Sequence, residues 1–180
     1  MDRLVVETDV YASPEAVYEF LLDFPRYQRY TEYLDTVDRT SGDGGPGSEY
    51  ALSFSWWKLS YTAHSRVTDV TPPERISWAI TRDIDARGSW EIESYDDPPA
   101  DAPADTETAC RVRMLVAFDP DSADSDAVSL PLTVSFGWVL DKLTGLVEEE
   151  ATRVVRRAVR DLEGDSREVT LDVSVDSEAL

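Results

Sequence analysis

Between Leu130 and Leu162 the apolar residues Leu132, Phe136, Val139, Leu140, Leu143, Val147, Ala151, Val154, Val155, Ala158 and Leu162 recur at spacings of three and four. That period is one face of an α-helix, and it predicts a single helix over 130–162. Ser129 suits its cap, Pro131 its first turn and Gly164 the position past its end. Arg153, Arg156, Arg157 and Arg160 crowd its last turns, where cations meet the negative end of the helix dipole. At about 1.5 Å per residue the helix is roughly 50 Å long. A chain of 180 residues has no second helix that could cover such a stripe. The remaining segments read as short strands, so the expected solution is a sheet curved around the helix, with room for a cavity between them.

The strands announce themselves by alternation. Leu4, Val6 and Val10 share one side of a first strand. Ser13-Pro14-Glu15 then reads as a helix start, with Val17, Phe20, Leu21 and Phe24 at helical spacing. Pro25 ends that helix and opens a second short one carrying Tyr27, Tyr30 and Tyr33. The stretch Ser41–Ser48 holds four glycines and a proline and is a turn. Tyr50, Leu52, Phe54 and Trp56 alternate in the next strand, and Leu59–Val70 returns from a hairpin tip near Lys58. Ile76, Trp78 and Ile80 follow Pro72-Pro73, and Trp90 and Ile92 follow Gly88. Tyr95–Thr108, rich in acids and proline, is a long solvated loop. Val112, Met114, Val116 and Phe118 form the last strand before the acidic loop Asp119–Asp126. Glu91 and Glu93 match the outward parity of Arg111 and Arg113, which predicts opposite-charge pairs across those two strands. Val169, Leu171, Val173 and Val175 suggest an added edge strand. The expected organisation is one domain over 1–164 followed by an acidic C-terminal extension, 165–180.

A formal charge of −20 excludes phosphate-rich partners, so no nucleic acid is expected. Only Lys58 and Lys142 are lysines, and an acid-rich, lysine-poor surface suits a salt-adapted, halophilic cytoplasm where carboxylate repulsion is screened. Cys110 is the single cysteine, so no internal disulfide forms. No apolar run approaches the roughly 20 residues of a membrane span.

The order of elements, together with Ser13-Pro14-Glu15-Ala16-Val17, Asp23-Phe24-Pro25-Arg26-Tyr27, Ser60-Tyr61-Thr62, Pro72-Pro73-Glu74-Arg75-Ile76 and Gly88-Ser89-Trp90, resembles the START-like (SRPBCC) superfamily. Within it the chain looks most like the polyketide cyclase/dehydrase and coenzyme-Q-binding (Coq10-like) branch. The resemblance covers residues 1–163. It implies an α+β helix-grip fold, with an antiparallel sheet of six or seven strands curved around the C-terminal helix. It also implies a small hydrophobic ligand, such as a quinone, lipid or polyketide-like compound, held between sheet and helix. Relatives include carriers, cyclases, hormone receptors, chaperone activators and ribosome-associated toxins, so an enzyme and a protein-interaction module stand as alternatives.

Chemistry-bearing residues are few. His64, the only histidine, shares parity with Thr62 and Arg66 and is expected to face solvent. One histidine and one cysteine far apart make no zinc site, and Asp119–Asp124 lacks the glycine and terminal glutamate of a calcium loop. No metal, cofactor or catalytic residue is therefore assigned. Pockets for small molecules are mostly apolar and aromatic, and the expected ligand-binding residues are Trp56, Trp78, Trp90, Met114, Phe136, Trp138 and Leu140. Trp57 falls opposite Trp56 near a hairpin tip, where an exposed indole would mark a pocket rim, a membrane-touching edge or a protein contact.

Overall fold

The computed structural model describes residues 1–124 and 136–176, with side chains of the C-terminal helix described from Glu149 onward. Strand β1 (Asp2–Val10) leads into helix α1 (Pro14–Leu22) and a short 3-10 helix (Phe24–Arg29). Then come β2 (Leu34–Ser41), β3 (Glu49–Trp56), β4 (Leu59–Thr71), β5 (Arg75–Ile80), β6 (Asp85–Ser94) and β7 (Cys110–Asp119). Helix α2 (Phe136–Glu163) and β8 (Asp172–Asp176) complete the chain. The strands form one curved, unclosed antiparallel sheet in the order β2-β3-β4-β5-β6-β7-β1-β8. The architecture is the expected α+β helix grip, with eight strands rather than six or seven.

Local chemistry explains the elements. Ser13 Oγ accepts the Ala16 N–H at 3.2 Å and caps α1, with Pro14 in the first turn. The α1 face Val17, Tyr18, Phe20 and Leu21 is buried against the sheet. The expected cap of α2 at Ser129 and Pro131 lies outside the described residues. At its other end α2 runs to Glu163, and Gly164 takes the left-handed conformation (φ +84°) that closes the helix.

Register sorts the side chains into two faces. Ile92 pairs with Val112, Trp90 with Met114, and Glu91 with Arg113. Apolar even positions thus point to the helix side and charged odd positions outward, as the alternation predicts. On the outer face Arg113 bonds Glu7 and lies 3.6 Å from Glu91, while Arg111 lies 3.6 Å from Asp9.

The core occupies the end of the concave face nearest α1. Val67, Ile76, Ile92, Cys110, Val112 and Val10 are sealed there with Val17 and Phe20 of α1 and Val159 of α2. The second half of α2 is fastened to this end by polar ties. Tyr30 Oη donates to Asp161 Oδ2 at 3.0 Å, and Arg157 donates to the Tyr30 carbonyl at 2.6 Å. Glu150, buried on α2, lies 3.3 Å from Arg153 and 3.7 Å from Arg157.

The edge strand begins later than the Val169–Val175 alternation suggests. Residues between Gly164 and Leu171 are spent crossing from α2 to β1. Arg167 holds that crossing: it bonds both Glu163 carboxylate oxygens, donates to the Asp9 carbonyl at 2.7 Å and lies 4.0 Å over the Tyr11 ring. Strand β8 then pairs antiparallel with β1 from Arg3↔Asp176 to Glu7↔Asp172.

This packing has two measurable consequences. Ile76 is fully buried, so Ile76→Ala lowers unfolding free energy by about 2–5 kcal/mol, read from urea denaturation. Burial, reinforced by Glu15, pushes the Cys110 thiol up to about 11 from 9.0, and burial with the bond to Asp161 pushes Tyr30 up to about 12 from 10.0. Both groups hold their protons more tightly folded than unfolded. Their contribution is complete below the unfolded pKa values and is lost as pH rises toward the folded ones. Urea midpoints therefore fall progressively above about pH 9, and Cys110→Ser with Tyr30→Phe flattens the decline.

Candidate functional site

The candidate site is the part of the concave face that the core does not seal. Parity and register put Trp56, Trp78, Trp90 and Met114 on this face, beside Leu4, Val6, Val116 and Phe118. All eight remain partly accessible, in contrast to the closed row Val67, Ile76 and Ile92. Phe54, on the same face, is 37% exposed. Small or short side chains between them, Leu59, Ala63 and Ala86, are buried, so the accessible surface of this part of the face is mostly aromatic. Phe136, Trp138 and Leu140 lie on α2, but their side chains are outside the described residues.

The four described candidates have distinct settings. Trp78 lies flat across Gly88: a Cβ there would overlap the indole and sit 2.5 Å from the Leu115 carbonyl. This close approach is why position 88 is a glycine. Trp90 stands edge-on to Tyr27 with centroids 6.4 Å apart and donates its N–H to the Tyr27 hydroxyl. That hydroxyl in turn donates to the Leu21 carbonyl, and burial holds its pKa far above the ordinary phenol range. Trp90 thus joins the accessible face to the core. Met114 is its cross-strand neighbour, and Trp56 closes the β3 end opposite Leu59.

Trp57 is 63% exposed at the tip of the β3–β4 hairpin, with Lys58 Nζ 5.5 Å from its ring centroid. Its φ of +56° is left-handed, a conformation a bulky side chain rarely takes.

His64 lies opposite Ala51 on the outer face, and Glu91 and Glu93 are outward in register with Arg113 and Arg111. None of these three reaches the concave space. Among the described residues no group of three or more His, Cys, Asp or Glu is placed to hold a metal ion, and no helix is long and apolar enough to cross a membrane. The outer face also carries a cleft of about 680 Å3 between Pro14, Pro73 and the Glu91–Ser94 and Arg111–Arg113 strands. Its walls mix apolar groups such as Pro14, Pro73 and Ile92 with charged ones, among them the Arg113–Glu91 pair.

Sequence reasoning passed over Tyr61. It alternates with Leu59, Ala63 and Val67 on the concave face, across from Phe54. Its hydroxyl is buried and has no hydrogen-bond partner among the described residues. Burial, with Asp83 nearby, raises its pKa, so the phenol stays protonated. The signal available in the sequence was the parity of a lone tyrosine among apolar neighbours.

Because Gly88 has no room for a side chain, Gly88→Ala displaces the Trp78 ring and strains β6. We expect a loss of about 1–3 kcal/mol in urea unfolding and a shifted tryptophan emission that a Trp78→Phe background abolishes.

Solved structures share this fold. A START superfamily protein from Mycobacterium smegmatis aligns with a TM-score of 0.59 at 16% identity, covering 89% of this chain and 99% of that one. TTHA0849 from Thermus thermophilus gives 0.58 at 15% identity over 90% and 97%. A conserved protein from Geobacillus kaustophilus gives 0.58 at 10% identity over 92% and 97%. At such identities the likeness is one of fold. A search of curated proteins gave no match. The family pattern described as "Polyketide cyclase / dehydrase and lipid transport" matches residues 1–163. With that match spanning β1 to β7 and α2, the chain belongs to the polyketide cyclase/dehydrase and lipid transport family, with a START-like fold.

Proposed function

We propose that the protein binds and carries a small hydrophobic molecule, such as a quinone, lipid or polyketide-like compound, between the concave face and α2. One observation carries this reading: Phe54, Trp56, Trp78, Trp90 and Met114 on that face remain accessible while Val67, Ile76 and Ile92 are sealed. Family membership supports a hydrophobic ligand in general. Trp56, Trp78 and Met114 would supply the floor, Trp90 its boundary with the core, and Phe136, Trp138 and Leu140 the helix wall. Covering about 300 Å2 of apolar surface would gain roughly 7 kcal/mol before the cost of association. Trp57 at the hairpin tip would form the rim, where an exposed indole can meet a membrane or protein that delivers the ligand.

Carriage is favoured over a cyclase or dehydratase because His64, Glu91 and Glu93 face outward, and Tyr61, which faces the concave space, holds its proton more tightly on burial. The test is to purify the protein at high salt, extract it with organic solvent and identify the extract by mass spectrometry. A lipophile at about one per chain is expected. An empty extract, together with failure to bind a lipophilic fluorescent dye, would overturn the proposal.

A further inference from the structure

We propose that the ligand is an uncharged lipophile bearing an oxygen acceptor, and that Tyr61 donates the hydrogen bond that orients it. This inference rests on the carrier reading and narrows its chemistry.

Tyr27 donates to the Leu21 carbonyl, Tyr30 to Asp161 and Tyr95 to Asp9 Oδ1. Tyr61 alone among the described residues has a side-chain polar atom buried without a partner. A hydroxyl in that state has lost its water and gained nothing, a penalty that folding alone does not repay. The group is explained if its partner arrives with the ligand. Such a site rejects analogues that leave the hydroxyl unpaired.

Charge selects the kind of acceptor. Tyr61 faces the concave space across from Phe54, with Leu59 and Ala63 as same-face neighbours on β4. One acid acts at this place: Asp83 adds its field to Tyr61. The nearest lysine in sequence, Lys58, sits out on the tip over Trp57. A carboxylate or phosphate head would enter apolar surroundings within the field of Asp83 and lose its hydration there. A neutral carbonyl, ether or hydroxyl oxygen carries no such penalty. The proton stays on the phenol in this setting, because burial disfavours the phenolate.

The experiment uses the full chain at high salt and three probes on one aromatic frame, titrated by calorimetry: 2-acetylnaphthalene, 2-ethylnaphthalene and 2-naphthoate. The ketone should bind about tenfold more tightly than the hydrocarbon, the worth of one hydrogen bond to a donor otherwise left unpaired. The carboxylate should bind more weakly than either. Tyr61→Phe should bring the ketone down to the level of the hydrocarbon, leave the hydrocarbon unchanged and not lower the Tm, since it removes an unsatisfied group. Equal binding of ketone and hydrocarbon, survival of the preference in Tyr61→Phe, or tightest binding by 2-naphthoate would each overturn this inference while leaving lipophile binding intact. If none of the three binds, the carrier reading fails with it.

Discussion

The fold depends on covering the concave side of one curved sheet. Every strand from β3 to β1 presents apolar side chains to that side, and exposing them all to water would cost more than the marginal stability of a domain this size. The cover is asymmetric. Helix α1, the short 3-10 helix and the second half of α2 converge on one end, where Val67, Ile76 and Val159 lose essentially all contact with solvent. Polar ties then fix the orientation. Tyr30 meets Asp161, Arg157 meets the Tyr30 carbonyl, and Arg167 joins Glu163 to the backbone at Asp9. Apolar burial sets the strength of that junction, while the directional bonds set the angle at which α2 leaves it.

The outer face works under a different rule. A chain with 37 acidic and 17 basic residues carries strong self-repulsion, and its arginines act as built-in counter-ions. Arg113 lies between Glu7 and Glu91, and Arg111 between Asp9 and the Tyr95 ring. Such half-exposed pairs contribute little to stability one at a time. Their effect is on register: a slip of one residue would turn Glu7, Arg113 and Glu91 into the core and Val6, Met114 and Trp90 into water. Charge and apolar pattern therefore specify the same alignment across β1, β7 and β6.

Most of this was legible in the sequence where one period dominated. The 3.6-residue stripe gave α2, and strict alternation gave β3, β5, β6 and β7 with the correct inward residues. Signals faded where both faces of an element are wet. Strand β2 was not delimited, because Leu34–Ser41 buries only Leu34 and Val37 and its pairing with β3 is broken by register shifts. Strand β8 was displaced because Val169 and Leu171 continue its alternation, while the crossing anchored by Arg167 consumes them; nothing local encodes a contact with Asp9 and Tyr11. Alternation put Trp56, Trp78, Trp90 and Met114 on one face of the sheet, as their register does. It did not reveal that Trp90 is committed to Tyr27, or that Tyr61 lacks an acceptor among the described residues, since both depend on tertiary neighbours.

The edge and the site pose related problems, and the chain answers them differently. A bare β1 would offer a long row of backbone donors and acceptors for pairing with another molecule. The C-terminal strand covers it from Arg3 to Glu7 and is itself short, with Asp172 and Asp176 at its ends. The new edge is thus acidic and brief, features that discourage further addition of strands. At the other boundary, the β3–β4 tip, the chain instead leaves Trp57 in water in a left-handed conformation. Of the large apolar side chains exposed among the described residues, which include Phe54, Val173 and Val175, this indole is the most exposed. It lies on the same hairpin as Phe54 and Tyr61. Phe54 and Tyr61 stand opposite each other on its two strands, so the exposed tip, an accessible ring and a hydroxyl without a partner among the described residues share one hairpin.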